Sequence, residues 1–231
     1  MIAVLAATTL LSIGSPQILV FSKTAGYRHD SILDGKKCLM GIANKNRWNV
    51  TFSEDSQWFT QKRLNGFSCV VFLSTTGDIL NDEQQAALQN FVETGGGFVG
   101  IHAAADTEYG WPWYETLAGA WFKSHPRIQK AKVVIEDAKH PTTQGLPKEW
   151  MRTDEWYCYR TSPRGKVHVL ASLDESTYEG ATMKGDHPIM WCNPVKKGRS
   201  WYTGGGHTAE AFVEALFVDH LTLGIKWAGR L

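Results

Sequence analysis

Short apolar runs alternate with amphipathic stretches along this chain, and that alternation predicts its architecture. Residues 17–22 (QILVFS), 48–52 and 68–73 are the first three runs, and residues 98–101 are the fourth. Each has the length of a strand, and the run at 68–73 is apolar throughout, as expected of a strand buried on both faces. Between them, residues 31–44 read as a helix with Ile32, Leu39 and Ile42 on its apolar side. A second helix opens at Asn81, whose side chain suits an N-cap, and presents Ala86, Leu88, Phe91 and Val92 inward. Gly95, Gly96 and Gly97 stop it. Strands separated by helices at this spacing form βαβ units around a parallel sheet.

The second half is less regular. Residues 132–135, 167–170, 188–191 and 200–203 are strand candidates divided by long loops. A last helix, about 209–227, carries Phe212, Ala215, Leu216 and His220. No repeat or low-complexity linker interrupts the chain, so residues 16–231 are expected to form one domain with an elaborated second half. Residues 1–15 (MIAVLAATTLLSIGS) hold no charged side chain and read as a secretory leader. The segment is too short to span a bilayer comfortably. A buried first strand is the rival reading, but Thr8, Thr9, Ser12, Gly14 and Ser15 break it. Export would make the protein secreted or periplasmic; a retained segment would make it cytoplasmic.

Composition narrows the partners. Among 231 residues, 24 basic and 23 acidic side chains are mixed along the chain for a net charge of +1. No basic stripe or charge run exists, which gives no support for nucleic acid or a membrane surface as a partner. Ten tryptophans exceed what a core needs and suggest a cleft that stacks on ring-shaped ligands. The four cysteines form no CxxC pair. Cys69 reads as core, and Cys158 with Cys192 is the expected disulfide if the protein is exported.

Ligands of open parallel sheets bind at the carboxyl ends of the strands. After the first strand come Arg28 and His29, after the third Asp78, after the fourth His102 and Asp106, and after the last His207. The topology therefore delivers these groups to one sheet edge, where His102, Asp106 and His207 are expected to share a cleft with His29 at its rim. The stretch around Gly100-Ile101-His102-Ala103 has the form of a strand-to-helix elbow that turns its tip residue outward. A histidine there, near a helix N-terminus, tends to stay neutral and suits metal binding or base chemistry. The rival reading is a hydrogen-bonded structural histidine. Asp154 and Glu155, beside Tyr157, offer acid, base or sugar-hydroxyl acceptors, or else form a solvated turn. His125, His187 and Trp191 could line the same cleft, whereas His140, His168 and His220 read as structure or surface. Gly204-Gly205-Gly206 could offer N–H groups to an oxyanion. HExxH, GxSxG and metal-spaced cysteines are absent, and Gly95-Gly96-Gly97 is not a phosphate loop.

GYRHDSI, GGGFVGIHAAAD, TDEWY, HPIMW and GRSWYTGGGH, in this order from about Gln17 to Leu231, resemble the ThuA-like family. The resemblance implies a flavodoxin-like three-layer α/β sandwich with a mostly parallel central sheet, related to class I glutamine amidotransferases. Those enzymes carry a cysteine at the elbow; His102 stands here instead, which excludes glutamine hydrolysis by that route. The family is associated with trehalose utilisation and with sugars oxidised at carbon 3, implying cleavage of a 3-keto-glycoside by acid–base chemistry. On that reading His102 and Asp106 are base and orienter, Asp154 or Glu155 protonates the leaving oxygen, and His207 joins the catalytic group. Arg28, His29, His125, Tyr157, His187 and Trp191 would hold the sugar, and a divalent metal such as zinc could sit on His102, His125 and His207. Two alternatives stay open. One is a non-catalytic carbohydrate-binding module; the other is an interaction domain whose site is blocked by Trp111 or Trp113.

Overall fold

The computed structural model describes residues 14–231, so the expected leader lies almost wholly outside the described residues. The first half runs β1 (Gln17–Phe21), α1 (Ile32–Asn46), β2 (Asn49–Ser53), α2 (Gln61–Leu64), β3 (Cys69–Leu73), α3 (Asp82–Glu93) and β4 (Gly97–Ile101). The second half adds α4 (Pro112–Ala118), β5 (Phe122–Ser124), β6 (Gln129–Ile135), β7 (Glu149–Asp154) and β8 (Cys158–Tyr159). It closes with β9 (His168–Asp174), β10 (Pro188–Val195), β11 (Gly198–Thr203) and α5 (Ala215–Gly229).

Nine strands form one sheet in the order β2-β1-β3-β4-β11-β10-β9-β6-β7. The first five run parallel, and the other four continue the sheet as an antiparallel extension. The α/β core is therefore the flavodoxin-like one, and the elaborated second half lengthens the same sheet, with β6 lying between β9 and β7. Helices α1 and α5 cover one face, while α3 and α4 cover the other. Helix α3 begins with a full capping box between Asn81 and Gln84, which satisfies two otherwise unpaired amides. The last helix is shorter than its pattern suggested. Ala209–Val213 is a 3-10 turn, Glu214 is extended, and α5 starts only at Ala215.

The register sets the site. Leu73 of β3, Ile101 of β4 and Thr203 of β11 are aligned partners, so Ser74, His102 and Gly204 emerge side by side at the carboxyl edge. Immediately after β4 the backbone turns left-handed at His102 (φ 51°) and enters a 3-10 turn, His102–Ala105. This is the expected elbow.

Two compositional expectations are corrected. Trp150, Trp156, Trp191 and Trp201 are buried in the core, and among the described residues no tryptophan lines the cavity beside the clustered histidines. All four cysteines are free. Alternation along β10 turns Trp191 towards α4 and Cys192 to the opposite face, where its sulfur lies 3.6 Å from His140 Nε2. Cys158 sits in the separate β5–β8 ribbon, so the two thiols never face each other. Among the described residues no helix is long and apolar enough to cross a membrane.

Candidate functional site

His102 forms the floor of the site. Its Nδ1–H donates to the Gly204 carbonyl at 3.0 Å, and the Tyr202 hydroxyl donates to the His102 carbonyl at 2.8 Å. The ring is also covered by Tyr157, at 4.2 Å between centroids. Fixing the proton on Nδ1 leaves the Nε2 lone pair facing inward, the state a ligating or accepting imidazole requires.

Three other side chains meet that lone pair. Glu155, just past β7, places Oε2 at 3.4 Å from His102 Nε2 and 3.0 Å from His207 Nδ1. His207, on the loop after β11, lies 3.2 Å from His102 between ring nitrogens. His29, on the loop after β1, stands edge-on to both rings at 4.8 and 5.0 Å between centroids. One donor atom from each of His29, His102, Glu155 and His207 falls within 4.8 Å of all the others. His29 Nδ1 is buried and has no hydrogen-bond partner.

Electrostatics agrees with this convergence. Burial, reinforced by the charges of His102 and His207, pushes the His29 pKa down to about 3, so its ring is neutral. Burial raises the Glu155 carboxyl, but the adjoining imidazoles of His102 and His207 outweigh it and hold the group ionised, well below the usual carboxylate range. For His207 the order is reversed: burial lowers its pKa, and the Glu155 hydrogen bond and charge lift it above the ordinary value. Three imidazoles and one carboxylate, with an unpartnered buried nitrogen among them, match the donor types of a zinc-like divalent cation.

The cluster opens into a cavity of about 410 Å³ lined by Tyr27, His29, Asp106, Phe122, His125, Glu155, Tyr157 and His207. A more open groove of about 500 Å³ lies beside the ends of β1 and β3. Its Lys23 ammonium is already bound to Ser56 Oγ at 2.7 Å and to the Ile79 carbonyl at 3.0 Å. No histidine lines that groove, whereas three line the smaller cavity.

Comparison with known proteins agrees with the sequence motifs. The family model described as "ThuA: Trehalose utilisation" matches residues 17–228. The chain belongs to the ThuA family. A ThuA-like protein of Bacteroides uniformis superposes with a TM-score of 0.79 at 23% identity, covering 93% of this chain and 92% of that one. A ThuA-like protein of Parabacteroides merdae gives 0.76 at 20% identity, with 93% and 90% covered. A β-galactosidase of Bacillus circulans gives 0.59 at 13% identity, with 92% of this chain aligned to 31% of that one. These likenesses establish the fold. No curated protein matches the sequence.

Within this ThuA-family chain the expected residues sort into three groups. His102, Glu155 and His207 meet as described, and His29 joins them, buried at 4% exposure instead of sitting at the rim. Asp106 shares the cavity but does not orient His102. Its Oδ1 accepts from the Tyr109 hydroxyl at 2.5 Å, burial raises its pKa, and the orienting acceptor for His102 is the Gly204 carbonyl. Tyr157 forms part of the wall. His125 lies on the outer side of Glu155, 3.0 Å from Oε1. It lines the cavity mouth but is not in the four-donor cluster, so His29 replaces it in the expected ligand set.

The remaining expectations are corrected by packing. Asp154 is fully buried beneath the site, engaged by backbone amides and Arg152, and cannot reach a leaving oxygen. Arg28 turns outward and forks onto Glu54 at 3.0 and 2.9 Å. His187 is buried behind the wall, bonded to the Tyr157 carbonyl and the Tyr178 hydroxyl at 2.8 Å each. Trp191 lies under α4, with its indole N–H on the Ala118 carbonyl. The Gly206 amide is bound to Asp154 and the Gly204 amide to the Ile189 carbonyl, so neither is free for an oxyanion. Trp111 and Trp113 stack on each other away from the cavity and do not block it. Two lining residues were missed. Tyr27 was detectable as the neighbour of His29 in GYRHD, whereas Phe122 carries no local signal.

Proposed function

We propose that this ThuA-family chain is a sugar-metabolising enzyme that cleaves a 3-oxidised glycoside by acid–base elimination, using a divalent metal such as zinc. The observation that carries the reading is the four-donor cluster of His29, His102, Glu155 and His207, opening into a cavity with three aromatic rings and a protonatable carboxyl. A metal there would polarise the substrate ketone and stabilise negative charge developing on its oxygen. Tyr27, Phe122 and Tyr157 provide the apolar surface against which a sugar ring stacks.

Asp106 is the base on this reading. It lies on the cavity wall outside the donor cluster, and its raised pKa brings it closer to the operating range of a proton acceptor. The ketone acidifies the proton on carbon 2. That proton passes to Asp106, its bonding electrons form a carbon–carbon double bond, and the bond from carbon 1 to the leaving oxygen breaks; water then adds across the double bond, its oxygen to carbon 1 and a solvent proton to carbon 2. His125, at the mouth, donates the proton that the leaving oxygen needs. Glu155 is held ionised by its histidines and is unsuited to be that acid.

The test is incubation of the protein in deuterated water with 3-keto-disaccharides and with ordinary disaccharides, before and after chelator treatment. Cleavage of only the oxidised sugar, deuterium at carbon 2 and loss of turnover on chelation are expected. Efficient cleavage of the unoxidised sugar, or product without deuterium at carbon 2, refutes the elimination. Binding of keto-sugar without any turnover would return the chain to a carbohydrate-binding role.

A further inference from the structure

Asp154 connects the pieces of the site from below. Its Oδ1 accepts the amide of Glu155 at 2.9 Å and that of His207 at 3.0 Å, and its Oδ2 accepts the amide of Gly206 at 2.8 Å. One buried carboxylate thus holds the backbones of two cluster residues that are 52 positions apart in sequence (207 minus 155). Arg152, two residues earlier on the same inward face of β7, approaches Asp154 Oδ2 at 3.1 Å. Its Nε is fixed at 3.0 Å by Glu214, the residue before α5, and its guanidinium lies 4.3 Å over the Phe217 ring. The glycine loop is shaped to this pair. A Cβ on Gly205 would lie 2.2 Å from Arg152 Nη1 and 3.1 Å from Asp154 Oδ2, and Gly206 has a φ of 114°. Side chains at these positions would lift the loop off the carboxylate.

We propose that Asp154, supported by Arg152, is the positioning residue that sets the spacing between Glu155 and His207 and so the metal affinity of the cluster. The proposal rests on the metal reading above. A carboxylate suits this task because all three amides are donors and both of its oxygens accept. An asparagine would turn an NH2 group against at least one of them. Partners outside the ligand set that fix ligand geometry are worth about 10–100-fold in metal affinity when removed.

The experiment is a zinc titration of the metal-free full chain against a chromophoric chelator, paired with amide hydrogen exchange and ring–ring NOEs in the same metal-free protein. Asp154→Asn should bind zinc about 10–100-fold more weakly. It should also speed exchange at Gly206 and His207 and weaken the NOE between the His102 and His207 rings. Glu108→Gln is the control. Glu108 is another buried carboxylate that accepts two amides, from Ile79 and Leu80, but away from the cluster. It should lower the melting temperature without changing zinc affinity. If Asp154→Asn does not fold, Arg152→Lys, which keeps the charge but loses the guanidinium held between Glu214 and Asp154, is read in the same way. Unchanged zinc affinity, or an equal loss in Glu108→Gln, overturns the proposal. If the wild type binds no zinc, the metal reading fails by itself, and unchanged exchange and NOEs in the variant would then overturn the positioning role as well.

Discussion

Adding a single methyl group at Gly205 should disturb both the stability and the site of this protein. The new Cβ would sit 2.2 Å from Arg152 Nη1, about 1.2 Å inside ordinary van der Waals contact. Arg152 has little room to retreat. Glu214 holds its Nε at 3.0 Å, and the rings of Phe217 and Trp150 lie 4.3 and 4.8 Å from the guanidinium carbon. Overpacking of this kind costs about 1–3 kcal/mol. If relief parts Arg152 from Asp154, the loss approaches the roughly 3–5 kcal/mol of a broken buried pair. A loss between these bounds, about 1–5 kcal/mol in Gly205→Ala, lowers the melting temperature by roughly 2–20 °C for a chain of this size. Gly41→Ala is the contrast, because nothing lies within 4 Å of a Cβ there and the residue is inside α1. That change should stabilise by about 0.5–1 kcal/mol through helix propensity. Calorimetric melts of both variants, with zinc titrations alongside, make the comparison. A Gly205→Ala protein that melts with the wild type and binds zinc equally well would refute the reasoning about the loop and the buried pair together.

Three further outcomes follow from the site and the core. Glu155→Gln removes the only carboxylate of the donor cluster, so zinc affinity measured by calorimetric titration should fall by at least about 100-fold, beyond the range for partners outside the ligand set; a smaller loss would remove Glu155 from that set. Asp106→Asn should lower turnover of a 3-keto-disaccharide by about two to four powers of ten while leaving zinc binding intact, and normal turnover would dismiss Asp106 as the base. His220 is fully buried, with its pKa pushed down by burial to about 3, so the unfolded chain takes up its proton first as the pH drops. Its contribution to stability is complete above the unfolded pKa near 6.5 and is lost as pH falls towards 3, amounting to about 2 kcal/mol between pH 6.5 and 5. His220→Gln should flatten that part of a urea-denaturation series, and an unchanged slope would assign the pH dependence to other groups.

Local pattern was enough for the parallel half of the molecule. β1 to β4, α1 and α3 are set by runs of apolar residues, by the Asn81 cap and by the glycines after α3, all of which act over a few neighbouring residues. The elbow at His102 was legible for the same reason, since small residues around one histidine at a strand end describe a local turn. β7 was not legible. Its inward positions are Trp150, Arg152 and Asp154, so buried charge replaces the apolar alternation by which a strand is recognised. That charge is tolerable only because Glu214 and the loop amides, more than 50 residues away, arrive to satisfy it. Counting tryptophans and cysteines misled because composition does not say which face of a strand is covered; helix packing decided that. The choice of His29 over His125 was likewise tertiary. Both are loop histidines beside polar residues, and only the alignment of β3, β4 and β11, with the β1 loop folded over their ends, buries one ring against His102 and leaves the other at the mouth. The sequence by itself thus determined the elements of the parallel half and the sheet edge where polar groups gather. Which of those groups touch, and with what charge, was decided by the tertiary structure, because both depend on strand register and burial that no local segment contains.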